Sequence, residues 1–245
     1  AAVSTKPEGA VAHILTFGGL TDCSNGTTNG PGLEVSVDGG AWQVVSATGE
    51  PAVRYAFAAV PTPRATFGAD LFLYGGSTNT EPAIASGAAF ALGLGAESAK
   101  WTAATCTLPQ CERGGYFAMF VDGDYLRVWG GGPYGNAPSG LKYSAGTKTW
   151  SAWELPANTP TLPQHYADDG RRIYFLSATS AACPHSVEVL IYDRATSSWQ
   201  AKDSSAAPAG LLAEAPAAWV GSELIAWSGN CGAGASSVGA RYQPP

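Results

Sequence analysis

Five short segments of this chain look alike, and they recur about every fifty residues. They read His13-Ile-Leu-Thr-Phe-Gly-Gly19, Leu71-Phe-Leu-Tyr-Gly-Gly76, Leu126-Arg-Val-Trp-Gly-Gly131, Ile173-Tyr-Phe-Leu-Ser-Ala178 and Leu224-Ile-Ala-Trp-Ser-Gly229. Each is an apolar, β-branched and aromatic run that stops at a pair of tiny residues. A strand followed by a turn, repeated at this period, describes one sheet after another and predicts the blades of a β-propeller. Such a repeat constrains architecture far more than it constrains function, because one scaffold can carry many different sites.

Around each segment the sequence splits into four strands. In the third repeat Tyr116–Val121 is strand one, Asp122-Gly123 the turn, and Tyr125–Trp129 strand two. Gly140–Tyr143 follows as strand three, and Ser144–Trp150 turns into strand four. The fourth repeat follows the same plan with Val187–Tyr192 and Asp193–Trp199. Trp42 and Trp101 are the matching fourth-strand tryptophans of earlier repeats. The glycine pair permits positive φ where strand two leaves the sheet. The tryptophan can wedge its apolar face between neighbouring twisted sheets, with its N–H seeking an acceptor. Ser36-Val-Asp-Gly-Gly-Ala-Trp42 reads as the hairpin turn between strands three and four of repeat one.

These features resemble the kelch-repeat family of β-propellers. The resemblance rests on the Gly-Gly strand ends and on the spacing Tyr143-x-x-x-Thr147-x-x-Trp150, repeated as Tyr192-x-x-x-Thr196-x-x-Trp199. Repeats four and five depart from it, with Ser177-Ala178 and Ser228-Gly229 in place of the glycine pair. It implies an all-β, five-bladed kelch-like propeller of four-stranded antiparallel blades, forming one domain over residues 1–245. The last repeat ends in its third strand at 240–245. The N-terminal run Ala1–Lys6 is therefore expected to complete that blade, so that the N- and C-terminal strands close the ring.

Composition bears on compartment and partner. Only 13% of residues are charged, the net charge is −6, and the Lys and Arg residues are scattered singly, which excludes the clustered basic face a nucleic acid needs. No apolar stretch reaches the eighteen residues or so of a membrane span. Cys106 and Cys111 bracket a loop short enough to close as a disulfide. With a single Met and an Ala-Ala-Val-Ser-Thr start, this suggests a mature secreted or periplasmic protein. Cys23, Cys183 and Cys231 lie in equivalent loops of repeats one, four and five. A Cys183–Cys231 bridge is the expectation. Copper or zinc held by these thiols with His185 is the alternative, and no other cofactor is implied.

The residues at or just before each first strand are the natural site candidates, because in kelch-type propellers first strands line the central channel. They are Arg54, Tyr55, Glu112, Arg113, Tyr116, His165, Tyr166 and Glu214. His165, Glu214 and Arg113 form the acid-base set if the protein is an enzyme, and they are expected to share one pocket. His13, which opens a strand, reads as structural. Tyr55, Tyr116, Tyr134 and Trp219 are candidate stacking platforms for a sugar. No nucleophile elbow, zinc-protease or phosphate-loop motif is present. The expected function is recognition of a carbohydrate, a small molecule or a protein. The alternative is an enzyme with its active site at the channel mouth.

Overall fold

The structure is a computed structural model. It describes residues 2–5, 13–16, 20–22, 27–28, 33–36, 43–44, 47–49, 51–52, 54–77, 85–86, 89–94, 99–113, 117–130, 140–155, 163–178, 187–202, 216–227, 230–231, 234–235 and 238–244. Among these residues the protein is all-β. Helix is limited to one turn at Arg64–Phe67 and a 3-10 turn at Pro109–Cys111. No helix among the described residues is long and apolar enough to cross a membrane.

Four sheets of propeller-blade type carry four antiparallel strands in simple up-and-down order. The first runs Ala2–Thr5, His13–Thr16, Leu33–Ser36, Gln43–Val44. The second runs Tyr55–Pro61, Leu71–Ser77, Ala89–Leu94, Ala99–Ala103, with Ala47–Thr48 added in parallel on its outer edge. The third is Phe117–Asp122, Tyr125–Gly130, Gly140–Ser144, Thr149–Trp153, and the fourth is Pro163–Asp168, Arg172–Ala178, Val187–Asp193, Ser198–Lys202. The five apolar segments of the repeat all form second strands, which lie inside their sheets, and Leu71–Tyr74, Leu126–Trp129 and Ile173–Leu176 are buried throughout. That is why they read as mostly apolar runs, with Arg127 of the third paired to Asp122.

The expectation of five four-stranded blades is overturned: the propeller-type fold has four full blades. The last repeat forms only Ala217–Val220, Glu223–Trp227 and Gly239–Tyr242, a three-stranded sheet. The N-terminal run does not complete it. Ala2–Thr5 pairs with His13–Thr16, from Ala2 opposite Thr16 to Thr5 opposite His13, and so supplies the first strand of its own sheet. The physical reason is proximity in sequence. A hairpin partner seven residues away closes at a far smaller entropic cost than a strand more than two hundred residues distant. The antiparallel pairing of Leu33–Ser36 with Gln43–Val44 agrees with a hairpin at Ser36–Trp42, whose turn residues and Trp42 lie outside the described residues.

The chain divides into two compact units. One is Ala1–Gly115 with Met119–Glu154, the other Tyr116–Ala118 with Leu155–Pro245. In the first, Leu71, Leu73, Leu92, Ala99 and Trp101 form a buried cluster on one face of the second sheet. Its other face meets the third sheet through aromatic rings. Phe72 packs on Tyr143 at 5.0 Å, and Tyr74 on Trp150 at 5.1 Å. Trp150 wedges as its position suggested, and its Nε1–H donates to the Ala104 carbonyl at 2.6 Å. Gly75, Gly76 and Gly130 hold φ of 70°, 83° and 86°, the left-handed conformation expected where strand two ends. In the second unit Tyr174, Leu176, Val189, Ile191, Leu224 and Ala226 form the buried cluster, with Trp219 and Tyr242 packed against it.

Candidate functional site

Among the described residues each unit carries a hollow, and both are built beside a fourth-strand turn. These turns share a backbone. Lys148 and Ser197 stand at the same place and both take left-handed φ, 55° and 51°. Thr147 and Thr149 share a hydroxyl hydrogen bond at 2.7 Å, as Thr196 and Ser198 do at 2.6 Å. At the turn's first position Ser144 Oγ accepts from the Thr147 N–H, while the Asp193 carboxylate accepts from the N–H groups of Ala195 and Thr196.

In the second unit the hollow has a volume of about 350 Å³ and is lined by Arg172, Ile191, Asp193, Ser198, Trp199 and Gln200. Strand register explains the grouping. Arg172, Asp193 and Ser198 stand in one cross-strand row, with Ile191 opposite Gln200 two residues along. Arg172 Nε donates to Asp193 Oδ2 at 3.3 Å, and Arg171 lies 3.6 Å from the same oxygen. Burial works against ionisation of Asp193, but the Arg172 hydrogen bond, the two turn N–H groups and the Arg171 charge outweigh it. The carboxyl is held below its ordinary value.

A second carboxylate secures the same strand. Asp169 accepts from the N–H groups of Arg171 and Arg172 and from the Tyr174 hydroxyl at 2.9 Å. Here too burial opposes ionisation. The Arg172 and Arg171 N–H groups, the Tyr174 hydroxyl and the Arg172 charge prevail, and the carboxyl is lowered. Tyr174 is pushed up to about 12, by burial first and then by its bond to Asp169. Arg194 grips Asp168 with two nitrogens at 2.6 Å each. Three arginines thus balance three aspartates, and Arg172, which bonds Asp193 and the Tyr174 hydroxyl, has five donor N–H groups in all.

In the first unit the hollow measures about 280 Å³. Phe67, Phe72 and Tyr143 form a largely buried aromatic floor, Ala91, Gly93 and Ala103 are among its small lining residues, and Lys100, Lys148 and Thr102 add polar groups. Phe67 meets Phe72 edge-on at 6.3 Å. The adjoining loop is secured by the Cys106–Cys111 disulfide, with Cα atoms 5.8 Å apart, and by the Tyr74 hydroxyl donating to the Cys111 carbonyl at 2.8 Å. This disulfide was legible from the spacing alone.

The candidates named from sequence fall differently. Arg54 is buried. Its Nη1 donates to the Gly75 carbonyl at 2.8 Å, its Nε to the Ala52 carbonyl at 3.1 Å, and its guanidinium lies over Phe90. It braces the end of strand two. Trp219 stacks on Tyr174, with centroids 5.0 Å apart and planes 14° apart, so one ring face is committed to packing. Glu112 and Arg113 precede the first strand of the third sheet, Phe117–Asp122. They form a short ribbon with Ala85–Ser86. His165 lies in the first strand of the fourth sheet, opposite Leu176, and Tyr55 opens that of the second, opposite Ser77. Tyr166 follows His165, and burial and then Asp168 raise its phenol, keeping it protonated. Cys231 sits in a two-residue strand opposite Gly234.

The side chains of Tyr55, Glu112, Arg113, His165 and Cys231 lie outside the described residues, as do Cys23, Tyr116, Tyr134, Cys183, His185 and Glu214 altogether. Among the described residues no three His, Cys, Asp or Glu side chains group as a metal site. Sequence reasoning missed Arg172, Asp193, Gln200, Lys100 and Lys148. The one signal that could have found some of them is the pair of equivalent turns, whose variable positions differ in charge. Neither a protein-family model nor a curated protein sequence matches the chain, so its place is that of a propeller-type fold in general.

Proposed function

We propose that the chain is an exported recognition module, kelch-like in its repeat, that binds a neutral carbohydrate at the hollow beside Arg172 and Gln200. The carrying observation is the charge-balanced, fixed Arg172–Asp193 pair bordering a space of about 350 Å³. A sugar needs a few oriented donors and acceptors beside some apolar surface, in a cleft of this order of size. Arg172, Ser198 and Gln200 supply the polar groups, and Ile191 and Trp199 the apolar surface. Asp193 neutralises Arg172 and orients it, which favours an uncharged, hydroxyl-rich ligand over an ion. Export is supported by the Cys106–Cys111 disulfide, since such bonds persist in oxidising compartments.

Calorimetric titration with a panel of neutral oligosaccharides tests the reading. At least one should bind the wild-type chain. Gln200→Ala should weaken that ligand by about threefold to tenfold, the worth of one or two hydrogen bonds. Absence of binding across the panel, or a Gln200→Ala variant that binds as the wild type does, contradicts it.

A further inference from the structure

The hollow of the first unit differs in chemistry from that proposed sugar site, and nothing in the sugar reading uses it. Its floor is aromatic: Phe72 is buried, and the edges of Tyr143 and Phe67 reach the hollow. Lys100 and Lys148 are exposed, and neither ammonium pairs with a carboxylate among the described residues. Arg64, nearby, is already balanced by Asp70 at 2.6 Å. Two cations with no carboxylate partner among the described residues, beside an aromatic floor, stand out in a chain of net charge −6.

The space itself is unusual. Gly93 lies within a strand, opposite Lys100. Its φ is not positive, and a Cβ there would meet only the tip of Arg64 at 3.6 Å and the Lys100 carbonyl at 4.0 Å. Neither backbone conformation nor crowding requires glycine at a position where it weakens the strand, so the residue marks room for an approaching group. Lys148 is no better explained by its turn. Its left-handed φ favours Gly or Asn, and the equivalent turn uses Ser197.

We propose that this hollow is a second binding site, for a small organic carboxylate with a flat apolar body. The ring would lie against the accessible edges of Tyr143 and Phe67, beside Gly93, and the carboxylate would meet the Lys100 and Lys148 ammoniums. A charge-assisted contact is stronger than a neutral one.

The probe is 2-naphthoate, with 2-naphthamide as its neutral counterpart, titrated calorimetrically into the intact chain. The carboxylate should bind about tenfold more tightly than the amide, a preference worth roughly 1.4 kcal/mol, and should weaken as salt rises. Lys100→Gln with Lys148→Asn, both exposed positions, should abolish the preference. Gly93→Leu should weaken both probes by about tenfold or more. Neutral-sugar binding should be unchanged in all these variants, so failure of one site is distinguishable from failure of the other. Equal binding of naphthoate and naphthamide, no binding of naphthoate at millimolar concentration, or wild-type affinity in the double lysine variant overturns the proposal.

Discussion

The two hollows stand beside the same turn, yet one is cationic and aromatic and the other ionic and charge-balanced. Ser144 and Lys148 in the third sheet become Asp193 and Ser197 in the fourth, on a backbone that keeps its left-handed residue and its paired hydroxyls. The first unit fixes its surroundings by ring packing and a disulfide loop. The second uses aspartates that collect N–H groups and guanidinium groups. The difference teaches that this repeat separates scaffold from chemistry: sheet and turn are held by a few positions, and the rest are free to vary in charge.

The largest expected effect concerns strand glycines. A Cβ on Gly140 would stand 2.6 Å from a ring carbon of buried Trp153 and 2.9 Å from its carbonyl oxygen. Gly140→Val should therefore cost on the order of 3 kcal/mol. In the second unit Gly239 faces the Trp227 ring in the same way, but Trp227 is 62% exposed and can swing aside. Gly239→Val should cost clearly less in denaturant unfolding. Equal losses would show that the two units pack alike at these pairs.

Next comes the disulfide. Replacing Cys106 and Cys111 by Ser should remove about 2 kcal/mol, as expected for a loop this short. Because Ala103 lines the hollow just before this loop, naphthoate binding should weaken while sugar binding holds. Loss of both would break the comparison. A smaller loss, about 1 kcal/mol, should follow Trp150→Phe, which removes the donor to the Ala104 carbonyl and keeps most of the ring packing. A melting temperature unchanged within error would mean that hydrogen bond carries nothing.

Acid should act on the second unit first. The carboxyls of Asp169 and Asp193 are lowered from the ordinary 3.8 in the folded chain, so it binds fewer protons than the unfolded chain in the window below that value. Their contribution is complete above the ordinary carboxyl range and is lost as pH falls through the lowered folded values. Hydrogen exchange followed from neutral pH to below pH 3.8 should show Arg172–Ala178 and Val187–Asp193 loosening before Leu71–Ser77. Asp169→Asn should flatten that dependence. Simultaneous loosening of both units would contradict the division.

Much of the scaffold was legible in the sequence because second strands, enclosed within their sheets, are mostly apolar. Leu71–Tyr74 and Ile173–Leu176 announce themselves. The partner of Ala2–Thr5 was not legible, since a four-residue strand says nothing about which edge it joins. Arg54 looked like a ligand contact because it precedes a first strand. In the fold the Gly75 carbonyl accepts its guanidinium. The hollows were hidden for a different reason. Lys100 and Lys148 are distant in sequence and belong to different sheets, and Arg172, Asp193 and Gln200 meet only through strand register. No local pattern marks groups that pairing alone brings together.

The most direct test of two separate chemistries on one scaffold is a heteronuclear NMR titration. A neutral oligosaccharide from the binding panel and 2-naphthoate would be added singly and then together. The account predicts that the sugar shifts resonances of Arg172, Ser198 and Gln200, that naphthoate shifts those of Gly93, Lys100 and Lys148, and that each set is unaffected by the other ligand. Both ligands moving the same set of resonances, or one displacing the other, would contradict it.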